Sequence, residues 1–308
     1  MKSEVAGSPG DSAAVAAAGE PQTGELMNEP QAPKGGRAGR DLRAAIIVGV
    51  SLAGLIFATL FTVRVLWVGV ICLAVGMGAY ELVTALKVEQ LHLPRIPLTL
   101  AGAALPAAAY AQGTDGLVIA FFIAVIAALG WRAYDPRGFD PPADLRRDLT
   151  ATLFCLGYTG FLAGFAGLLS RPSNGPRLVI IFIATAALND VGGYAAGVLS
   201  GGRHKLAPRI SPGKSWEGLG GSVVASCLCA GIMFPFLVHR SALLGIVFGL
   251  AAVVASTLGD LSESMLKRDI GIKDMGHLLP GHGGVMDRLD SLVATAPVAY
   301  LLLTAWAH

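Results

Sequence analysis

The sequence predicts an all-α, polytopic integral membrane protein with about nine transmembrane helices, its N-terminus cytoplasmic and its C-terminus outside. Three observations carry this reading. The 308 residues are 54% hydrophobic and only 14% charged, with a mean hydropathy of +0.62, whereas soluble domains carry about 25% charged residues. The apolar residues fall into runs close to the roughly 20 residues that a helix needs to cross the hydrocarbon core. Lysine and arginine then concentrate on alternate connections, as they do where positive charge stays on the cytoplasmic side. A net charge of +2 gives no electrostatic reason to expect a nucleic-acid partner.

In order along the chain, residues 1–40 are rich in Ala, Gly, Pro and Glu and contain no aromatic residue. They read as a disordered cytoplasmic tail with nothing to bury. The first apolar run begins near Ala44, after Arg37, Arg40 and Arg43, too far from Met1 for a signal peptide. The runs are Ala44 to Thr62, Val65 to Leu86, Ile96 to Ala111, Gly116 to Ala133, Leu149 to Leu169, Leu178 to Leu199, Leu219 to Val238, Ala242 to Leu261 and Leu289 to Trp306. The chain thus divides into the tail, N-terminal helices over 41–176 and a C-terminal region over 177–308. Cys72, Cys155, Cys227 and Cys229 all lie inside apolar runs, where they behave as small hydrophobes and imply no disulfide framework.

Assigning the tail and the even-numbered connections to one side places eighteen Lys and Arg there, against Arg64, Arg171, Arg177 and Arg240 on the other. The two most polar connections, 200–218 and 262–288, then face the cytoplasm. The second belongs to a stretch from Gly259 to Ser291 with six carboxylates (Asp260, Glu263, Asp269, Asp274, Asp287, Asp290) and the cations Lys267, Arg268, Lys273 and Arg288. Asp260 and Asp287 stand where spans meet that connection. Mg²⁺ is commonly held by one or two carboxylates plus substrate phosphates and water, so this pair suits a phosphate-and-metal site. Asp290, one turn beyond Asp287, is either an ion ligand or the partner of an arginine. The four cations would neutralise phosphate oxygens that a metal leaves unserved, or bind anionic headgroups.

Further candidates lie upstream. Asp190 sits inside an apolar run beside Asn189, at a cost of roughly 2.5–3.5 kcal/mol for a carboxylate at a span centre, and is expected to face a polar cavity. Gly213-Lys214-Ser215 resembles the end of a Walker A loop, but Pro208 stands where its first glycine belongs. What remains is a Ser211-Pro-Gly-Lys214-Ser215 stretch able to offer hydroxyls, amides and an ammonium to phosphate. His282, within Pro-Gly-His-Gly283-Gly284, either contacts a ligand or stabilises a turn. Met265, Leu266, Ile270 and Ile272 suggest a short interfacial helix.

These residues resemble a known family. Ser264-Met-Leu-Lys267-Arg268, Lys273-Asp274-Met-Gly276 and Pro280-Gly-His282-Gly283-Gly284-Val-Met-Asp287-Arg288-Leu-Asp290 are similar to the signature of phosphatidate cytidylyltransferases. Gly259-Asp260 with Glu263-Ser264, and Ser211-Pro-Gly-Lys214-Ser215-Trp-Glu217-Gly218, resemble the patterns that flank it. The likeness is good from about Leu178 onward. It implies a homodimer in the cytoplasmic membrane, its site facing the cytoplasm, joining CTP and phosphatidic acid to give CDP-diacylglycerol and pyrophosphate. It also implies Mg²⁺ at Asp260 and Asp287, in a metal site that accepts a monovalent cation such as K⁺ as well. Asp260, Lys267, Arg268, Lys273, Asp274, Asp287 and Arg288 would then serve the reaction. Asp190, Ser211, Lys214, Ser215, Glu217, His282, Gly283 and Gly284 would hold substrate. A CTP-dependent lipid kinase is the chemical rival. A CDP-alcohol phosphotransferase is disfavoured because Asp115-Gly116 is followed by Leu-Val-Ile-Ala, and a transporter because the polar groups gather at span ends.

Overall fold

The computed structural model describes residues 51, 54–87, 91–134, 142–276 and 283–306. Seven helices among them are long and apolar enough to cross a membrane. They are α1 (Arg64–Leu86), α2 (Arg95–Ala133), α3 (142–170), α4 (Gly175–Leu199), α5 (Trp216–Leu237), α6 (Ala242–Asp269) and α7 (Met286–Trp306). The tail over 1–40, His277, His282 and residues 44–50, 52 and 53 of the first expected span lie outside the described residues, although 54–62 are helical and lead into α1.

The expected third and fourth spans fall within α2, 39 residues long and broken at Gly113, whose φ of 76° and ψ of −152° no helix contains. Positive φ is cheap only for glycine. The chain doubles back there. A methyl group on Gly116 would lie 2.5 Å from the Ala108 carbonyl oxygen, and Leu105, Ala109 and Leu117 share one buried cluster. Helix α3 contains a π-helical turn, Leu156–Phe161, between two α segments. There Gly160 passes so close to α2 that a methyl would meet Leu105 at 2.5 Å.

The fold is all-α in class, as expected, with one addition: Lys205–Ala207 (β1) and Ser211–Ser215 (β2) pair as a short antiparallel hairpin inside the 200–218 connection. One expectation needs correction: the connection expected over 262–288 is shorter at both ends, because α6 continues to Asp269 and α7 begins at Met286. Met265 and Leu266 belong to α6, not to a separate interfacial helix. The polar residues Ser262 to Asp269 end the apolar run without ending the helix, since none of them is a glycine or proline.

Packing joins both halves of the chain. One core holds Trp67, Ile71 and Val75 of α1, Leu169 of α3, Ile181 and Phe182 of α4, Phe234 of α5, Phe248 of α6 and Val293 of α7. Helices α4 and α5 approach through small residues: a methyl on Gly221 would lie 2.3 Å from the Ala196 side chain and 2.4 Å from the Gly192 carbonyl. Such surfaces let backbones pack closely where the lipid tails supply no hydrophobic drive. The connections segregate into two ends. Arg64 donates to the Pro172 and Ser173 carbonyls at 3.2 and 3.0 Å, and Arg177 to that of Leu237 at 3.4 Å. At the other end the His92 amide donates to Asp148 at 2.9 Å and Arg268 to the Ile210 carbonyl at 3.3 Å. This partition pairs connections assigned to the same side by charge counting.

Asp148 also receives a 2.9 Å bond from Arg132, and both side chains are almost fully buried. Removing one member of a buried ion pair typically costs about 3–5 kcal/mol. Asp148→Ala is therefore expected to lower the thermal midpoint of the detergent-solubilised protein clearly. An unchanged midpoint would show that the pair contributes nothing to the fold.

Candidate active site

The site forms at the end holding the β-hairpin. A cavity of about 400 Å³ is lined by Asn189, Asp190 and Tyr194 of α4, Lys205 and Lys214 of the hairpin, Ser222 of α5, and Asp260 of α6. Asp190 is held by the amide nitrogen of Asn189 at 3.0 Å. That same nitrogen donates to Ser256 at 2.9 Å, while Ser222 donates to the Asn189 carbonyl at 2.7 Å. A buried polar network crossing three helices fixes the depth and direction of Asp190. Asp190 does face a polar cavity, as its place inside an apolar run suggests.

The hairpin folds back over this cavity. Lys214 on β2 donates to Asp260 on α6, closing the hairpin against the bundle. Ser215 caps α5, its hydroxyl accepting from the Gly218 amide at 3.1 Å, so that hydroxyl is committed to the helix start. Glu217 accepts from the His204 amide at 3.2 Å and lies 2.6 Å from its ring nitrogen. Glu217 thereby braces the hairpin. Ser211 lies in β2, and Arg268 reaches the neighbouring Ile210 carbonyl, so the hairpin is tied to α6 at two points.

Beyond Asp260 the carboxylates continue as a row. The Asp260 charge acts on both Asp190 and Asp290. Glu263, 1% exposed, lies within reach of Asp290 and Asp287, and neither of its oxygens receives a hydrogen bond. Lys267 closes the row, 2.7 Å from Asp287 and 3.2 Å from Glu263. Asp287 is the most heavily bonded member. Its Oδ1 accepts from Lys267, and its Oδ2 from the Gly284 and Met275 amides at 2.9 and 3.0 Å. A row of five carboxylates thus runs from Asp190 to Asp287, with a lysine against Asp260 and another at the Asp287 end. Asp260 precedes the end of α6 by nine residues, about 13 Å at a helical rise of about 1.5 Å per residue. It lies along a continuous helix rather than at its tip.

The remaining expected residues lie at the rim. Lys273, Asp274 and Arg288 are exposed; Gly283 has a φ of 81°, and a methyl there would lie 3.8 Å from Asp274. Arg288 acts on Asp190 from across the site.

Among the described residues, no group of three or more His, Cys, Asp or Glu side chains is arranged to hold a metal ion. Mg²⁺ does not demand one, since one or two carboxylates with phosphate and water oxygens suffice. The carboxylates of Asp260 and Asp290 supply hard oxygens of the kind that such an ion takes. Asp287 already accepts from one ammonium and two amides, so an ion there would share it with those donors.

Two residues of the N-terminal half join the site without any sequence signal. Glu81 of α1, 3% exposed, accepts the Met286 amide at 2.9 Å and so caps the first turn of α7. Tyr158, on the π-helical turn of α3, feels the charges of Glu263, Asp290 and Asp260, and its hydroxyl is buried without a hydrogen-bond partner. π-Helical turns often mark functional positions.

Comparison with known proteins identifies the family. A model described as the cytidylyltransferase family matches residues 43–306. A phosphatidate cytidylyltransferase of Mycobacterium bovis is 39% identical over 276 residues, covering 87% of this chain and 90% of that protein. One from Mycobacterium leprae is 38% identical over 279 residues, 87% of this chain and 89% of the relative. One from Haemophilus influenzae is 46% identical over 125 residues, covering 39% and 43%. With matches that run through nearly all of its helices, the chain belongs to the cytidylyltransferase family.

Proposed function

We propose that this protein is a phosphatidate cytidylyltransferase, joining CTP and phosphatidic acid to give CDP-diacylglycerol and pyrophosphate for phospholipid synthesis. The observation that carries this reading is the carboxylate row with Lys214 and Lys267, beside a cavity open at one end of a membrane-spanning bundle. Lipid phosphate and nucleotide triphosphate are both anions, so the first task is to bring them together.

Lys214 and Lys267 are placed to meet phosphate oxygens, with Arg268, Lys273 and Arg288 at the rim adding positive potential. A lipid phosphate oxygen attacks the α-phosphorus of CTP; a new P–O bond forms, the bond to the bridging α,β oxygen breaks, and that oxygen leaves with pyrophosphate. The attacking phosphate is ionised near neutral pH, so no side chain has to remove a proton. Mg²⁺ and a monovalent cation such as K⁺, which Asp260 and Asp290 would hold, would neutralise charge on the α-phosphate of the transferred cytidylyl group. Asp190 and the hairpin residues Ser211, Lys214 and Ser215 would frame the nucleotide, and Gly283-Gly284 would admit close approach of a backbone to phosphate.

The charge distribution supports nine spans, counting residues 44–62 and both limbs of α2, with the site end on the cytoplasmic side of the cell membrane. That orientation gives the site access to cytoplasmic CTP while the bundle meets lipid laterally. A homodimer is what the family resemblance implies.

The test is pyrophosphate release by purified protein given CTP, Mg²⁺ and phosphatidic acid, each omitted in turn. Pyrophosphate together with a CDP-lipid, dependent on both substrates, is the expected result. Release of CDP with a newly phosphorylated lipid would replace the transferase with a kinase.

A further inference from the structure

We infer that Glu81 is a positioning residue for the transfer, acting through the backbone that holds Asp287; the inference rests on the reading that Asp287 serves the reaction. Three contacts converge on this one buried carboxylate. Its Oε2 accepts the Met286 amide at 2.9 Å, immediately before Asp287. A methyl on Gly284 would lie 2.6 Å from Oε2 and 2.8 Å from Oδ2 of Asp287, so the Gly284 backbone is clasped between the two carboxylates. A methyl on Gly276 would lie 2.3 Å from Oε1. The Gly284 amide and that of Met275, next to Gly276, are the two that donate to Asp287. Both turns that bind Asp287 therefore rest on Glu81.

The chemistry explains why a carboxylate stands there. The start of a helix presents amides without intrahelical partners and a partial positive charge. A carboxylate supplied by another helix satisfies both while leaving Asp287 free to face Lys267. An apolar side chain of the same size would fill the space and leave the Met286 amide unbonded. The loop would then relax, and Asp287 with it; displacement by about 1 Å is enough to cost roughly a hundredfold in rate. Glu81 lies on α1, which ties the N-terminal helices to the site and gives them a share in catalytic geometry.

The test compares Glu81→Gln, Glu81→Leu and Glu81→Ala, with rates normalised to folded, monodisperse protein. Gln keeps an oxygen for the Met286 amide and should retain kcat within about fivefold of wild type. Leu and Ala should lose at least about thirtyfold in kcat with KM for CTP within about threefold, because the hairpin and the cavity it covers are untouched. Hydrogen exchange should rise in a peptide spanning 283–290 in Glu81→Ala and stay unchanged in α4 and α5. Normal kcat in folded Glu81→Ala, or Gln as inactive as Ala, would overturn the inference. Should Ala and Leu fail to fold, Gln still decides: wild-type-like kcat and exchange support the hydrogen-bonding role, and their loss refutes it. If the wild type itself makes no CDP-lipid, the functional reading falls, and the exchange experiment still reports whether Glu81 orders the loop.

Discussion

Asp287→Asn is expected to reduce CDP-lipid formation by about ten- to a hundredfold while leaving the protein folded. The native carboxylate accepts from Lys267 and from the Gly284 and Met275 amides. An amide side chain keeps one oxygen and turns an NH₂ group toward donors. With that oxygen kept for the two amides, the NH₂ faces the Lys267 ammonium, and the lost charged contact, at about 1.5–3 kcal/mol, amounts to roughly ten- to a hundredfold in rate. Lys267 remains beside Glu263, 3.2 Å away, which limits the cost to folding. The measurement is turnover per folded molecule, with the thermal midpoint as control. Full activity would remove Asp287 from the catalytic set.

Lys214→Met is expected to lower kcat/KM for CTP by about a hundredfold. In the resting structure its ammonium meets Asp260 and lines the cavity. Without it, Asp190, Asp260 and Asp290 face incoming phosphate with one cation fewer. A charge pair 4 Å apart at an effective dielectric of about 20 is worth about 4 kcal/mol, and solvent in the open cavity reduces this to roughly 3. Methionine preserves the length of the stem, so the hairpin should keep its pairing. The decisive measurement is the salt dependence of kcat/KM in both proteins. Loss of the salt effect along with the rate is expected, and an undiminished rate would confine Lys214 to holding the hairpin closed.

Much of this site was legible before the fold was known, for identifiable reasons. Carboxylates are costly near hydrocarbon, so Asp190, Asp260, Asp287 and Asp290 stood out against apolar surroundings, and the structure gathers them. Helix ends were less legible. Apolarity reports where a span leaves the lipid, whereas the helix persists while its residues favour helix, which is why α6 reaches Asp269. The β-hairpin escaped notice because Pro208, Pro212 and Gly213 read as an irregular loop, although they accompany a pair of short strands. Ser215 also caps α5 and Glu217 also braces the hairpin, contacts that only the folded chain reveals.

Glu81 and Tyr158 show the limit most clearly. Each sits in an apolar run, with no motif around it, more than 100 residues from the carboxylates it meets. The sequence by itself determined that this chain is a polytopic helical membrane protein, which connections share a side, and which residue types would handle phosphate. These follow from local composition, because the transfer free energy of each residue into the bilayer is nearly independent of its neighbours. Only the tertiary structure decided that Asp287 is filled by Lys267 and two amides, that Asp260 pairs with Lys214, and that Glu81 underlies the loop. Those contacts depend on which helix faces cross, and a crossing is set by the packing of small residues, such as Gly192 against Gly221, that carry no chemistry of their own.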